Sequence, residues 1–341
     1  MSFPFSWPEI DPKTANHTRY VIHKRIGHYE NFFLRANHPE KSLAFWIRYT
    51  IFSPENKKTA IGEVIAAYFD GETGNHSCVK TEIPIENCVF YSNELNMTMG
   101  ESRLSENHFN GRAVTSDQLI SWDMNYFSDE APLFLIQRNM YDMPFPKAKS
   151  LVAKPLAVFS GSMTINKASQ HIENWVGSQN HNWGIKHTDH YAWGQVAGFD
   201  NAPNTFFEIS TARFKYGPLW TPFMTIMVLR HEGKEYRLNT IPQSFRAKGN
   251  FHYFDWQFSS ETPTEKIEGA IAAEVDNFIG INYYNSSGGV KLGLITKIAR
   301  CNIALSFPNE PDRPEINLST RHRAGFEILT TDQDHGVPIS V

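Results

Sequence analysis

Apolar and polar positions alternate with a period of two along most of the chain, the spacing of strands that bury one face. Residues 43–52 set Leu43, Phe45, Ile47, Tyr49 and Ile51 on one face and Trp46, Arg48, Thr50 and Phe52 on the other. Residues 61–69 repeat the pattern and run into Asp70-Gly71, a turn dipeptide, before 76–83 alternates again through Val79, Thr81 and Ile83. A further strand is predicted over 119–126. The run from Pro132 to Pro146 is too rich in proline for a strand or helix interior and reads as a lid or a crossing segment. The rhythm then restarts over 191–199, 205–214, 222–231 and 234–239, with Glu232-Gly233 between the last two. Residues 251–258 alternate as one strand. Residues 266–274 carry helix signals (Thr262-Pro263, then Ala270, Ala272 and Ala273), yet they lie between strand-like runs and contain Gly269, so a strand is assigned. A hairpin of 278–284 and 290–306 around Ser286-Ser287-Gly288-Gly289, and a closing strand over 321–330, complete the pattern.

Many short strands with little helix predict an all-β protein. At 341 residues the economical arrangement is two tandem antiparallel β-barrel or sandwich domains, placed at 15–185 and 186–335. Aromatic residues make up 13% of the chain, including 25 Phe, and support strands over a helical bundle. The formal net charge of −4 argues against a dedicated binder of nucleic acid or anionic lipid. Cys78, Cys88 and Cys301 form no spaced set and read as free thiols of a reducing compartment. No basic leader segment and no apolar run of spanning length is seen, so the expectation is a cytoplasmic protein without a membrane span. The Asn-x-Ser/Thr sequons are then chance matches.

Chemistry-capable residues concentrate between His171 and Gln195. This run holds His171, His181, His187 and His190 with Trp175, Trp183 and Trp193, and packs Glu173, Asn180, Asn182 and Asp189 among them. One reading is a wet junction in which polar side chains satisfy backbone. The other is a pocket wall, with aromatic faces for an apolar ligand and polar groups that orient it or move a proton. If 187–195 is extended, His187, Asp189, Tyr191 and Trp193 share a face and His190 lies opposite. Asp189 would then be an acid whose pKa apolar neighbours raise. A metal on His181, His187 and His190 is set aside because their spacing matches no usual ligand signature. No GxSxG, GxGxxG or Walker loop is present, so no cofactor is expected. Trp46, Trp122 and Trp256 read as core, and Met140, Met143 and Phe145 as an entrance or as gap-filling core. Arg213 and Lys215 alone make no nucleic-acid patch.

Gly177-x-x-x-His181-Asn182-Trp183-Gly184, followed by His187 and Tyr191-Ala192-Trp193-Gly194, resembles the central signature of the AttH-like and carotenoid 1,2-hydratase (hydroxyneurosporene synthase) group. The likeness extends to Phe32-Phe33-Leu34-Arg35-Ala36-Asn37, Trp46-Ile47-Arg48-Tyr49-Thr50, Pro144-Phe145-Pro146-Lys147-Ala148-Lys149 and Lys297-Ile298-Ala299-Arg300-Cys301. The resemblance implies two lipocalin-like β domains and a long apolar isoprenoid, polyene or lipid-like ligand held at or between them. The chemistry it implies is acid-assisted hydration or cyclisation, in a hydratase by protonating an alkene beside aromatic faces. Hydratase-like members tend to carry Asp directly before the His of the signature, where this chain has Asn180. An amide cannot donate that proton, so hydration would require Asp189, Glu173 or a histidinium, whereas Asn180 suits hydrogen bonding to a carbonyl or hydroxyl. On this reading His181 and His187 are proton donors or orienters and Asp189 an acid. Trp175, Trp183 and Trp193 form walls, and Asn180, Asn182, His190 and Gln195 contact the substrate. The alternatives are a non-catalytic carrier of a hydrophobic ligand and a structural β protein. The expected partner is an apolar small molecule, and a homodimer is compatible with the sequence.

Overall fold

The computed structural model describes residues 8–21, 27–55, 59–286 and 288–341. Ser287 of the expected 286–289 turn and the first seven residues lie outside them. The first sheet begins with a meander: β1 (His28–Asn37), β2 (Leu43–Ser53), β3 (Ile61–Asp70) and β4 (Ser77–Pro84). Short strands follow, β5 (Cys88–Phe90), β6 (Asn96–Met99), β7 (Ser102–Ser105), β8 (His108–Val114) and β9 (Leu119–Phe127). After β10 (Leu133–Phe134), the long strands β11 (Ala148–Ile165) and β12 (Ala168–Gly184) complete it. The order is β4-β3-β2-β1-β12-β11-β9-β8-β7-β6-β5, antiparallel throughout, with β10 on β11. Thr81 of β4 bonds Val114 of β8 in both directions, so this sheet curls nearly into a barrel.

The second sheet contains β13 (His190–Phe199), β14 (Ala202–Arg213), a separate hairpin β15 (Lys215–Tyr216) and β16 (Leu219–Trp220), then β17 (Met224–His231) and β18 (Lys234–Leu238). One short helix, α1 (Ile241–Arg246), leads to β19 (Lys248–His252), β20 (Asp255–Glu261), β21 (Lys266–Ala272), β22 (Ile279–Tyr284), β23 (Val290–Ser306) and β24 (Ile316–Thr330). Its order is β18-β17-β14-β13-β24-β23-β21-β20-β19, with β22 on β23. The protein is thus all-β, two antiparallel lipocalin-like units in tandem. No helix among the described residues is long and apolar enough to cross a membrane.

Alternation decides which residues meet. Phe45, Ile47, Tyr49 and Ile51 of β2 enter the first core with Phe32, Leu34, Phe159 and Trp175. The opposite face sends Trp46 into a cluster with Trp193, Ile295, Ile298 and Leu329, which joins the two sheets. Both faces of β2 are therefore buried, which a one-sided sheet would not need. Trp122 and Trp256 lie in the two cores as expected.

Two local expectations are corrected, and one element was not foreseen. Residues 251–258 are not one strand but the hairpin β19–β20, in which His252 pairs with Asp255 across Tyr253-Phe254. The turn carries no glycine or asparagine to announce it; Phe254 instead takes the left-handed backbone, φ +76, and its ring packs on Phe278 at 4.8 Å. Residues 187–195 are not continuously extended, because strand pairing resumes only at His190 after a connection over 185–189. Helix α1 was unanticipated, although Thr240 caps it by accepting from the Gln243 N–H and Pro242 begins its first turn.

Candidate active site between the sheets

β1 and β12 pair so that Asn31 faces Asn182 and Phe33 faces Asn180. The same alternation points Tyr29, Asn31 and Phe33 toward the second sheet while Glu30 and Phe32 turn into the first barrel. β2 adds Trp46 and Arg48, β13 adds Tyr191 and Trp193, and β24 adds Glu327. The crossing segment closes this space with Leu135, Ile136 and Pro146. The cavity measures about 160 Å³. A second cavity of about 140 Å³ adjoins it, sharing Ala148, His187, Thr188 and Phe214.

One side of the main cavity is polar. Tyr191 Oη donates to Glu327 Oε1 at 2.6 Å, and the Arg48 guanidinium lies 4.4 Å over the ring of Tyr283. Burial, reinforced by Glu327, pushes the Tyr191 phenol well above its ordinary pKa, so it is a neutral donor. Burial opposes the charge on Arg48, but Tyr283, Glu327 and Glu63 outweigh it and hold the pKa above the ordinary value. His187 stacks on Tyr29 at 4.0 Å, and burial with the charges of Arg48 and Lys291 drives its pKa well below normal. Its imidazole is therefore neutral, with a lone pair available but weakly basic, and is not the histidinium considered from sequence.

Behind the cavity lies a buried network. Gln195 Nε2 donates to Asn180 Oδ1 at 2.8 Å, Ser178 Oγ donates to Gln195 Oε1 at 2.7 Å, and Arg35 Nη1 donates to the Gln195 carbonyl at 2.9 Å. Trp193 Nε1 donates to Glu208 Oε1 at 2.9 Å, and burial raises the Glu208 carboxyl to about 7. Lys297 is fully buried between the indoles of Trp46 and Trp193, at 5.4 and 5.1 Å, and burial lowers its pKa to about 7.

Of the residues singled out by sequence, His187, Asn182 and Trp193 line the main cavity. Asn180 and Gln195 stand in the network behind it. Asp189 lines only the adjoining cavity, and its expected raised pKa is overturned. Burial would raise it, but the Lys215 N–H at 2.9 Å, Lys186 at 3.0 Å and the charge of Lys291 hold it below the ordinary carboxylate value. It is a carboxylate and no proton donor. His181 turns away from the cavity into the first barrel, stacked on Phe32 at 4.0 Å with Nε2 2.8 Å from Glu30. Trp183 packs beneath Arg19, Trp175 lies in the first core, and His190 meets Phe223 and Phe251. These four do not line the cavity.

Sequence reading did not single out Arg48, Glu327, Lys297 or Glu208 as chemistry. Arg48 was visible beside Trp46 on the polar face of its strand, and Glu327 is the one acid in 316–330. Lys297 was hidden by a bulge between Thr296 and Ala299, which turns Lys297 and its neighbour Ile298 toward the same junction.

No family model matches the chain. It is 21% identical over 187 residues to uncharacterized proteins of Mycobacterium tuberculosis strains CDC 1551 / Oshkosh and ATCC 25618 / H37Rv. The match takes in 54% of this chain and 56% of theirs, so the chain spans about half the length of the curated relatives it matches. Among solved structures, a Nitrosomonas europaea protein provisionally named AttH is similar with a TM-score of 0.58 at 10% identity, over 95% of this chain and 97% of that one. CghA is similar with a TM-score of 0.55 at 10% identity, over the same shares. Kievitone hydratase from Nectria haematococca reaches a TM-score of 0.49 at 9% identity, over 98% of this chain and all of that one. The chain shares the fold of AttH-like proteins.

Proposed function

We propose that the protein binds an apolar small molecule carrying a conjugated carbonyl in the cavity between its sheets, and hydrates or cyclises it. The observation that carries this reading is one cavity with indole and phenyl walls facing Arg48, the Tyr191–Glu327 pair and neutral His187. A dry cavity of ~150 Å³ takes a guest of benzene size. The free space here, about 160 Å³, suits one ring or one branched segment of a ligand, with any longer isoprenoid part running through the adjoining cavity.

Arg48 donates to the carbonyl oxygen, while the Tyr191–Glu327 pair borders the same polar side of the cavity. In hydration, His187 takes a proton from water, the water oxygen bonds the β carbon, and the alkene electron pair moves onto the carbonyl oxygen. The resulting imidazolium returns its proton to the α carbon, so the net change is one added water. In cyclisation the same guanidinium polarises the carbonyl and no atom is gained or lost. This route needs no acid at position 180, where the chain has an amide.

The test is incubation of the purified protein with prenylated enones and polyene carbonyl compounds, followed by liquid chromatography and mass spectrometry. Hydration adds one water to the mass, and cyclisation yields an isomer of changed retention. Arg48→Leu is expected to lower turnover at least about a hundredfold, the scale of losing one oxyanion donor. Ligand that binds but is returned unchanged by the wild type would favour the carrier reading.

A further inference from the structure

The hairpin β15–β16 stands outside both sheets, next to the adjoining cavity. Tyr216 pairs with Leu219 across Gly217-Pro218, and Gly217 takes the left-handed backbone, φ +57, with nothing within 4 Å of where a side chain would begin. Its apolar side chains face solvent: Leu219 is 71% exposed, Tyr216 57% and Trp220 42%. Phe223 at 39% and Phe145 at 40% continue the patch, and Phe145 meets Phe214 at the cavity wall. Cations ring it. Arg213 lies 4.4 Å over Trp220 and 4.8 Å over Phe223, Lys215 follows on the hairpin, and Lys147 and Lys186 line the same cavity. Asp189, the acid of that cavity, is already paired with Lys186 and Lys291.

We propose that this hairpin docks the protein on an anionic bilayer surface. Amphipathic aromatic and aliphatic side chains on a projecting tip enter the headgroup boundary, while flanking lysines and arginine meet anionic lipid. The whole-chain charge of −4 does not decide this, because Lys147, Lys186, Arg213 and Lys215 stand beside the projecting apolar tip. The location also gives an apolar ligand a route from the lipid into the cavity without crossing water; that role rests on the binding reading above, whereas docking does not.

The experiment is co-sedimentation of the full chain with vesicles of phosphatidylcholine alone or mixed equally with phosphatidylglycerol, no substrate present. The wild type is expected to sediment with the mixed vesicles, less so in high salt. Leu219→Glu weakens this about tenfold or more, given the apolar burial it removes. Paired Lys147→Glu and Lys215→Glu substitutions abolish the preference for phosphatidylglycerol. All these positions except Lys147 lie on the exposed hairpin, and unchanged thermal melts establish that the variants fold. The proposal is overturned if the wild type stays in solution with the mixed vesicles, or if Leu219→Glu binds as the wild type does. Loss of a dimer in Leu219→Glu without any vesicle binding would assign the patch to a second copy of the chain instead. Because the vesicles carry no substrate, a negative result here leaves the catalytic reading intact, and the converse also holds.

Discussion

An ammonium enclosed by two indoles is an unusual resident of a protein interior, and Lys297 has no hydrogen-bond partner for its Nζ. Its folded pKa of about 7 lies far below the ordinary lysine value of 10.5. The folded state therefore carries the full cost of charging it below about pH 7, a cost that fades as pH rises toward 10.5. Lys297→Met should accordingly stabilise the fold most at about pH 6, with the advantage shrinking by about 2–3 kcal/mol by about pH 9. Denaturant midpoints of the two proteins across that range provide the check, and a constant difference would refute it. His181 makes the opposite case. It donates into the Glu30 carboxylate, which burial would raise but which the bonds from His181 and His28 lower to about 2. That depression stabilises the fold above about pH 4.5 and is lost as pH falls toward 2. His181→Ala should cost about 3 kcal/mol or more, remove much of this acid dependence, and leave the ligand dissociation constant unchanged. A large loss of affinity with normal stability would return His181 to the binding machinery.

At the scale of elements, β12 does two jobs. Gln179, His181 and Trp183 face the first barrel and its covering N-terminal residues, while Ser178, Asn180 and Asn182 face the second sheet. The dense mixture of Trp, His and Asn that looked too polar for a core strand is what a strand buried on both faces requires. One face packs aromatics and the other satisfies a polar junction. Asn180 is a full member of that junction, donating to Ser178 Oγ at 2.9 Å and accepting from Gln195. Asn180→Asp removes the donor and places two acceptors face to face, so it should destabilise the protein by about 2–3 kcal/mol in a thermal melt. An undiminished melt would mean that the site accepts a carboxyl in place of the amide. Strands with strict alternation, such as β2 and β3, were legible because one period explains both faces. The β19–β20 turn and the Lys297 bulge were not, since each depends on a backbone conformation that a Phe or Lys side chain does not advertise.

On the scale of the whole molecule, the cavity exists only because two sheets and a crossing segment converge. Tyr29, Arg48, Leu135, His187, Tyr191 and Glu327 are scattered over almost 300 residues of sequence. The clustered run between His171 and Gln195 therefore pointed to the right junction but supplied only part of the wall. Period-two patterning speaks to which face is buried, not to which other strand lies across it. The polar pole assembled from β2, β13 and β24 could be known only once strand order was known.

Trp46 and Trp193 approach the cavity from different sheets and flank the same amine. Indole emission is sensitive to contact with a conjugated guest and to a neighbouring charge, so the molecule carries its own optical reporter. A ligand that fills the space should dim or shift this pair without any added label, and the same light signal should follow Lys297 as it gains or loses its proton.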